Sequence, residues 1–268
     1  MSKLWKFNLL LLAILAVVLL MMNKPEPEEE PVAEPAADPA PSVVVLNEAE
    51  RIFGYTSAGP AKPGESELLH LTKALTVKNP HDYPVTIGEI STRIFDSAGE
   101  ELSYTTAEDL FWASARRTLQ PGETAHLAAT GLVTELLFRE DYGHSESEWK
   151  VYREDGADPY TLLGVSEIAY RFEEADPGNT WLKVEALFGN SSSINVDTTE
   201  VEAVVEFYDH DGALIGGDTA TGVTSRVERI RPGEQKRIAF DAALIGREFS
   251  QDIGAVKIYA GCGNCRAR

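Results

Sequence analysis

The sequence predicts an all-β chain in which one β-rich unit is used twice, behind an apolar N-terminal segment and a linker rich in proline and glutamate. Three observations carry this. First, a phrase recurs. Ile94-Phe95-Asp96-Ser97-Ala98-Gly99, followed by Leu119-Gln120-Pro121-Gly122-Glu123, returns as Phe207-Tyr208-Asp209-His210-Asp211-Gly212 followed by Ile230-Arg231-Pro232-Gly233-Glu234. Second, short segments of alternating apolar and polar residues flank each phrase, separated by turn formers. Third, the composition changes sharply near residue 43. The division expected is 1–23 as a membrane anchor, 24–42 as a disordered linker, 43–158 as a first β domain and 159–268 as a second.

Leu9 to Met22 is an unbroken run of Leu, Ala, Ile, Val and Met, and with Leu4, Trp5 and Phe7 it approaches the length of a membrane span. Asn23-Lys24-Pro25-Glu26 is a poor cleavage site, so an uncleaved anchor is favoured over a signal peptide. No Cys follows the run, which excludes a lipid-modified cysteine there. Lys3 and Lys6 precede the span and glutamates follow it. That asymmetry puts the N-terminus in the cytoplasm and the rest outside, with residues 4–22 in the inner (cytoplasmic) membrane. The linker alternates proline with Glu, Ala and Asp, and it carries too little apolar surface to fold. An extended chain of about 3.1 Å per residue would hold the first domain several tens of Å from the bilayer, within the periplasm of a Gram-negative cell.

Each copy then follows the same course. An apolar strand ends in Asn, in Lys73-Ala74-Leu75-Thr76-Val77-Lys78-Asn79 and in Val184-Glu185-Ala186-Leu187-Phe188-Gly189-Asn190. A second strand runs into the Asp turn, where the Asp side chain can bond the backbone two residues on and Gly supplies a positive φ. Pro-Gly-Glu opens a third strand, at Thr124–Ala128 and Gln235–Phe240. Arg51–Tyr55 resembles Glu167–Arg171 at the front, and Lys150-Val151-Tyr152 resembles Lys257-Ile258-Tyr259 at the end. Six or so short strands per copy, with turn signals about every 8–12 residues, give a sandwich or a barrel. Leu132–Phe138 and Ala242–Arg247 read as short helices, and Ala107–Arg117 as a helical turn or a bulged strand.

The Asn-ended strand, the aromatic-Asp strand with its Gly turn and the Pro-Gly-Glu opening resemble the FxLYD type of bacterial and archaeal extracytoplasmic domain, and the related late-embryogenesis-abundant type. The motif stands here as Val205-Glu206-Phe207-Tyr208-Asp209 and as Thr92-Arg93-Ile94-Phe95-Asp96, with Val and Thr in place of the first Phe. The resemblance implies tandem immunoglobulin-like β-sandwiches in an envelope protein and no catalytic residues.

Charge and motifs narrow the chemistry. With 24 Lys and Arg against 43 Asp and Glu, the net charge is -19. A chain this acidic has no basic stripe for phosphates, so no nucleic acid is expected as a partner. Cys262-Gly263-Asn264-Cys265 supplies two metal ligands where zinc wants four, and the three residues written after Cys265 are too few for the helix of a thioredoxin-like site. A local disulfide is the expectation, with metal binding and redox chemistry behind it. Asp209-His210-Asp211-Gly212 lacks the further acids of a calcium loop and reads as a turn. The five histidines show no ligand spacing, and no nucleophile elbow, phosphate loop or dinucleotide fingerprint is present. Trp149 and Trp181 fall in strand patterns and are expected in the core, whereas Phe111 and Trp112 lie in the irregular insertion and are the candidate partner contact.

The expectation is therefore a single-pass, non-catalytic envelope protein that binds or scaffolds another envelope protein, with no cofactor and no metal. The alternatives are a thiol-redox or hydrolytic envelope enzyme, and a cation or ligand sensor acting through acidic loops.

Overall fold

Most strands form where the alternation predicts them. The computed structural model describes residues 40–55, 68–102, 117–133, 136, 138–153, 160–176, 178–263 and 265. Residues from 40 onward form one compact unit. The anchor and almost all of the linker lie outside the described residues, among which no helix is long and apolar enough to cross a membrane.

In chain order the strands are β1 (Val44–Tyr55), β2 (Leu68–Lys78), β3 (Val85–Asp96), β4 (Arg117–Leu119), β5 (Thr124–Val133), β6 (Tyr142–Arg153) and β7 (Thr161–Asp176). They continue with β8 (Asn179–Gly189), β9 (Val196–Asp197), β10 (Glu202–Tyr208), β11 (Leu214–Thr221), β12 (Arg229–Ile230), β13 (Gln235–Gly246) and β14 (Ala255–Cys262). One short helix, α1 (Arg247–Asp252), precedes β14. The chain is thus all-β. Its sheets run β1-β2-β5, β4-β3-β6, β12-β9 and β11-β10-β14-β7-β8-β13, with every pairing antiparallel.

The layers follow from which face of each strand is apolar. Leu75 and Val77 of β2 and Leu127 of β5 pack against Val85, Ile87 and Ile90 of β3. Leu69, Leu71 and Ala129 meet Ile94 further along. The opposite faces of β2 and β5 are also covered, because Ala74 and Ala128 cluster with Val204 of β10. The inward face of β10, with Ala203, Val205 and Phe207, meets Leu182, Val184, Ile238 and Phe240 of β8 and β13. Four sheet layers result: β4-β3-β6, β1-β2-β5, β11-β10-β14 and β7-β8-β13. β7 links the last two, since Thr161–Leu163 pair with β14 and the residues from Gly164 onward pair with β8.

The repeated phrase is one hydrogen-bonded knot built twice. Asn79 Nδ2 donates to the carbonyls of Tyr83 and Leu119, at 2.9 and 3.1 Å. Asn190 Nδ2 donates to the carbonyls of Ile194 and Ile230, at 2.7 and 2.8 Å. Each Asn also accepts a backbone N–H from the second residue on, His81 or Ser192. The N–H of each Asn bonds the carbonyl of Glu123 or Glu234, and its carbonyl accepts from Gly122 or Gly233. The Pro-Gly-Glu Glu closes the turn by accepting the N–H of Gln120 or Arg231. Both glycines sit at positive φ, 74° and 76°, which a side chain would oppose. The second motif repeats equally: Asp96 accepts the N–H groups of Ala98 and Glu100, and Asp209 those of Asp211 and Ala213. With Asn190 buried and both its donors engaged, the Asn190-Ser191-Ser192 sequence presents no free amide.

Four expectations need correction. Ala242–Gly246 is strand, because β13 continues along β8 as far as Asn179, and the helix starts only at Arg247. Leu132 and Val133 end β5 in pairing with His70 and Leu69, and Arg139–Asp141 forms a 3-10 turn. Thr134, Glu135, Leu137 and residues 107–116 lie outside the described residues. At the front the equivalence slips: Arg51 faces Thr72 in β1-β2 and Arg171 faces Lys183 in β7-β8, so Arg51 matches Arg171 and not Glu167. At the end, Trp149 faces Ile90 and Ala260 faces Ala203, so Lys150 matches Gly261 and not Lys257.

Asn79→Asp and Asn190→Asp are isosteric but remove the donating amide and set a carboxylate against two carbonyls. Each is expected to cost at least ~1–3 kcal/mol in denaturant unfolding. An unchanged midpoint would show that the knot does not hold the strands.

Candidate functional site

The two ends of the six-stranded order, β11 and β13, are both edges, and a groove of about 640 Å³ lies between them. β11 contributes Asp218, Thr219 and Thr221, the following loop Thr224, Ser225 and Arg226, and β13 Phe240, Asp241 and Ala242, with Trp181 of β8 beside them. β13 carries a register shift between Asp241 and Ala243, a bulge whose Ala242 is buried against the second-half core. Lys183 pairs with Asp241 at 2.5 Å and lies 5.6 Å from the Trp181 ring centroid.

The two edges differ in what they offer. On β11, Gly217 donates its N–H to Thr72 Oγ1, and its carbonyl accepts from Thr72 and Thr130. The Thr219 N–H goes to Asp218 Oδ1 at 2.8 Å. Side chains thus occupy the β11 edge. Among the described residues β13 pairs with β8 alone, so its other edge faces the groove.

Asp218 ties the layers together. Burial raises its pKa to about 7, opposed by the N–H groups of Thr219 on its own strand and Thr130 on β5. The groove thus offers hydroxyls, a carboxylate that titrates near neutrality, an indole face and a strand edge. Among the described residues no His or Cys lines it. Such a set suits recognition of an extended, polar ligand through backbone and side-chain hydrogen bonds.

The residues singled out in the sequence fall elsewhere. Cys262 and Cys265 form a disulfide, with Cα atoms 5.6 Å apart, at the end of β14. Phe111 and Trp112 lie outside the described residues. Trp149 packs on the first-half core, but Trp181 is on the outer face of β8 and lines the groove. Asp209 spends its Oδ1 on its own turn.

Two buried polar clusters escaped the sequence reading. Lys73, fully buried at 0% exposure, pairs with Glu48 at 2.6 Å and Glu50 at 3.3 Å and donates to Ser145 Oγ at 2.9 Å. Burial pushes Glu50 up, but hydrogen bonds from Ser145 and Tyr142 and the Lys73 charge outweigh it and hold the carboxyl below its usual range. The signal was present, since Lys73 is in phase with Leu69, Leu71, Leu75 and Val77. Between the halves, Glu206 is 1% exposed and accepts from His126 Nδ1 at 2.7 Å and from the Tyr208 hydroxyl at 2.5 Å. The His126 ring stacks on Tyr259 at 3.4 Å.

Lys73→Met leaves Glu50 without its cation and is expected to cost ~3 kcal/mol; Lys73→Met with Glu50→Leu should recover most of that loss, because removing both charges removes the desolvation penalty. A double variant no more stable than the single one would refute the pairing. For Asp218 the folded pKa, about 7, lies above the ordinary 3.8, so the folded state holds more protons between those values and stability falls as pH rises through that window. Asp218→Asn removes this titration. Its melting temperature relative to the unaltered chain should rise between about pH 5 and about pH 8, and a constant difference would exclude the burial of the carboxyl.

No protein-family model matches the chain, and no curated protein matches it in sequence.

Proposed function

We propose that the chain is a single-pass, non-catalytic binding or scaffolding protein of the cell envelope, whose ligand is an extended segment of another envelope protein. Residues 4–22 span the inner membrane with the N-terminus in the cytoplasm, and residues 24–42 form the stalk. The parts 43–158 and 159–268 are tandem immunoglobulin-like sandwiches of the kind found in FxLYD domains. The duplicated Asn and Pro-Gly-Glu knot supports the tandem reading. The apolar run of residues 9–22 and the charge asymmetry around it support the anchor.

The observation that carries the binding role is the groove between the β11 and β13 edges. A strand laid along β13 would satisfy its outward backbone groups, and edge addition of this kind draws affinity from the main chain and specificity from alternate side chains. Trp181 and the threonines of β11 would contact those side chains.

A photo-crosslinking residue at Ala239, exposed on β13 and lining the groove, in the full-length protein in native membranes is expected to capture one envelope protein, and the same residue at Tyr152, exposed on β6, is expected to capture none. Trp181→Ala should weaken the capture about tenfold, a loss of ~1.4 kcal/mol, without lowering the melting temperature. Equal capture from both positions, or none from Ala239, would overturn the reading.

A further inference from the structure

The disulfide lies beside a carboxylate that the linear sequence keeps far from it. Glu200 ends the 3-10 turn Thr198–Glu200 between β9 and β10, and its carboxylate oxygen and the two sulfurs of Cys262 and Cys265 all fall within 4.8 Å of one another. We propose that, when the Cys262–Cys265 bond is reduced, Cys262, Cys265 and Glu200 together bind one borderline-soft divalent cation of the Zn²⁺ class. The inference is independent of the groove and of the binding role argued above.

The chemistry balances simply. A dithiol supplies two electrons and two protons and is itself oxidised to a disulfide, or a phosphine supplies the two electrons and water the two protons as the phosphine becomes its oxide; either way the S–S bond breaks and two thiols form. The cation then displaces both thiol protons and is held by two thiolates and one carboxylate, with water completing a four-coordinate shell. Ligands about 2.0–2.3 Å from a tetrahedral ion stand less than 4 Å apart; the two sulfurs reach that separation by moving apart once the S–S bond is broken, and the Glu200 oxygen already lies within 4.8 Å of both. Two thiolates select zinc-class ions over calcium or magnesium, which favour all-oxygen shells.

The surroundings fit a site that is held firmly on one side and open on the other. Cys262 is 1% exposed, belongs to the second-half core and pairs with Thr161 of β7. Cys265 is half-buried and Glu200 is exposed, which gives an ion a route in. Among the described residues the first half has no counterpart. Its strand β3 runs without the interruption that places Glu200 between β9 and β10, and its closing strand carries Val151 where β14 carries Cys262. The CxxC spacing supplied only two ligands, and the third comes from the turn where the copies diverge.

Cobalt(II) is the probe, added to the full-length protein in detergent, with and without a phosphine reductant. The reduced protein is expected to take one Co²⁺ per chain with thiolate-to-cobalt charge-transfer absorption that Zn²⁺ abolishes, and the oxidised protein none. Glu200→Gln, which still forms the disulfide under oxidation, should weaken Co²⁺ binding at least about tenfold. Cys262→Ser and Cys265→Ser should each remove the absorption. No thiolate-cobalt absorption in the reduced protein, one ion shared by two chains, or unchanged affinity in Glu200→Gln would each overturn the site.

Discussion

The close approach of β2 and β5 to β10 and β11 is the constraint on which the rest of the structure depends. Both faces of β2 and β10 are buried along most of their length, and at the centre of the contact the space admits only small side chains. Ala74, Ala128 and Val204 make the contact, while Gly216 and Gly217 lie directly against Thr72 and Ala128. A Cβ at Gly217 would stand 2.7 Å from the Val205 carbonyl and 2.8 Å from Ala128 Cβ. Larger residues would force the layers apart, since tightly packed interiors have no spare volume. The contact makes residues from 40 onward one compact unit and fixes the groove, because it sets one edge of the third layer, β11, against the second.

Polar groups are admitted into this stack only where they are satisfied. Thr72 and Thr130 serve the exposed backbone of β11, Thr219 Oγ1 donates to the Ala128 carbonyl, and Asp218 accepts N–H groups from two layers. Glu206 is enclosed between His126 and Tyr208. Buried polar contacts of this kind add specificity to an interface of alanines and glycines, which could otherwise slide, since the hydrogen bonds are made in one register only. His70 adds an opposite pH dependence. Burial holds its pKa at about 4, below the ordinary 6.5, so the unfolded chain takes up more protons in that window and acid destabilises the fold. Asp218 and His70 therefore pull the stability of one unit in contrary directions as pH changes.

The two halves divide the work. Where they agree, residue by residue, they hold turns and strand starts together. Where they differ, the second half carries the β11–β13 groove, the disulfide and Glu200. Repetition of an element whose hydrogen bonds are all internal leaves variation free to accumulate at edges and loops, where backbone groups face outward.

By itself the sequence determined most of the strands, the Asp turns, where the Asn and the Pro-Gly-Glu stand, and that the phrase recurs. These rest on local physics: period-two alternation, side chains that bond the backbone two residues away, and glycine at positive φ. Lys73 escaped that reading although it stands in phase with leucines, because its burial depends on the glutamates and the serine that the fold brings to it. The tertiary structure alone decided that Ala242–Gly246 is strand, that Trp181 faces a groove, that Arg51 aligns with Arg171, and that Glu200 stands beside two cysteines. Each of these depends on register or on contacts between distant segments. Short apolar runs read equally as helix or strand until a partner strand fixes them, and the worth of an alanine, a glycine or a glutamate is set by what the fold brings against it.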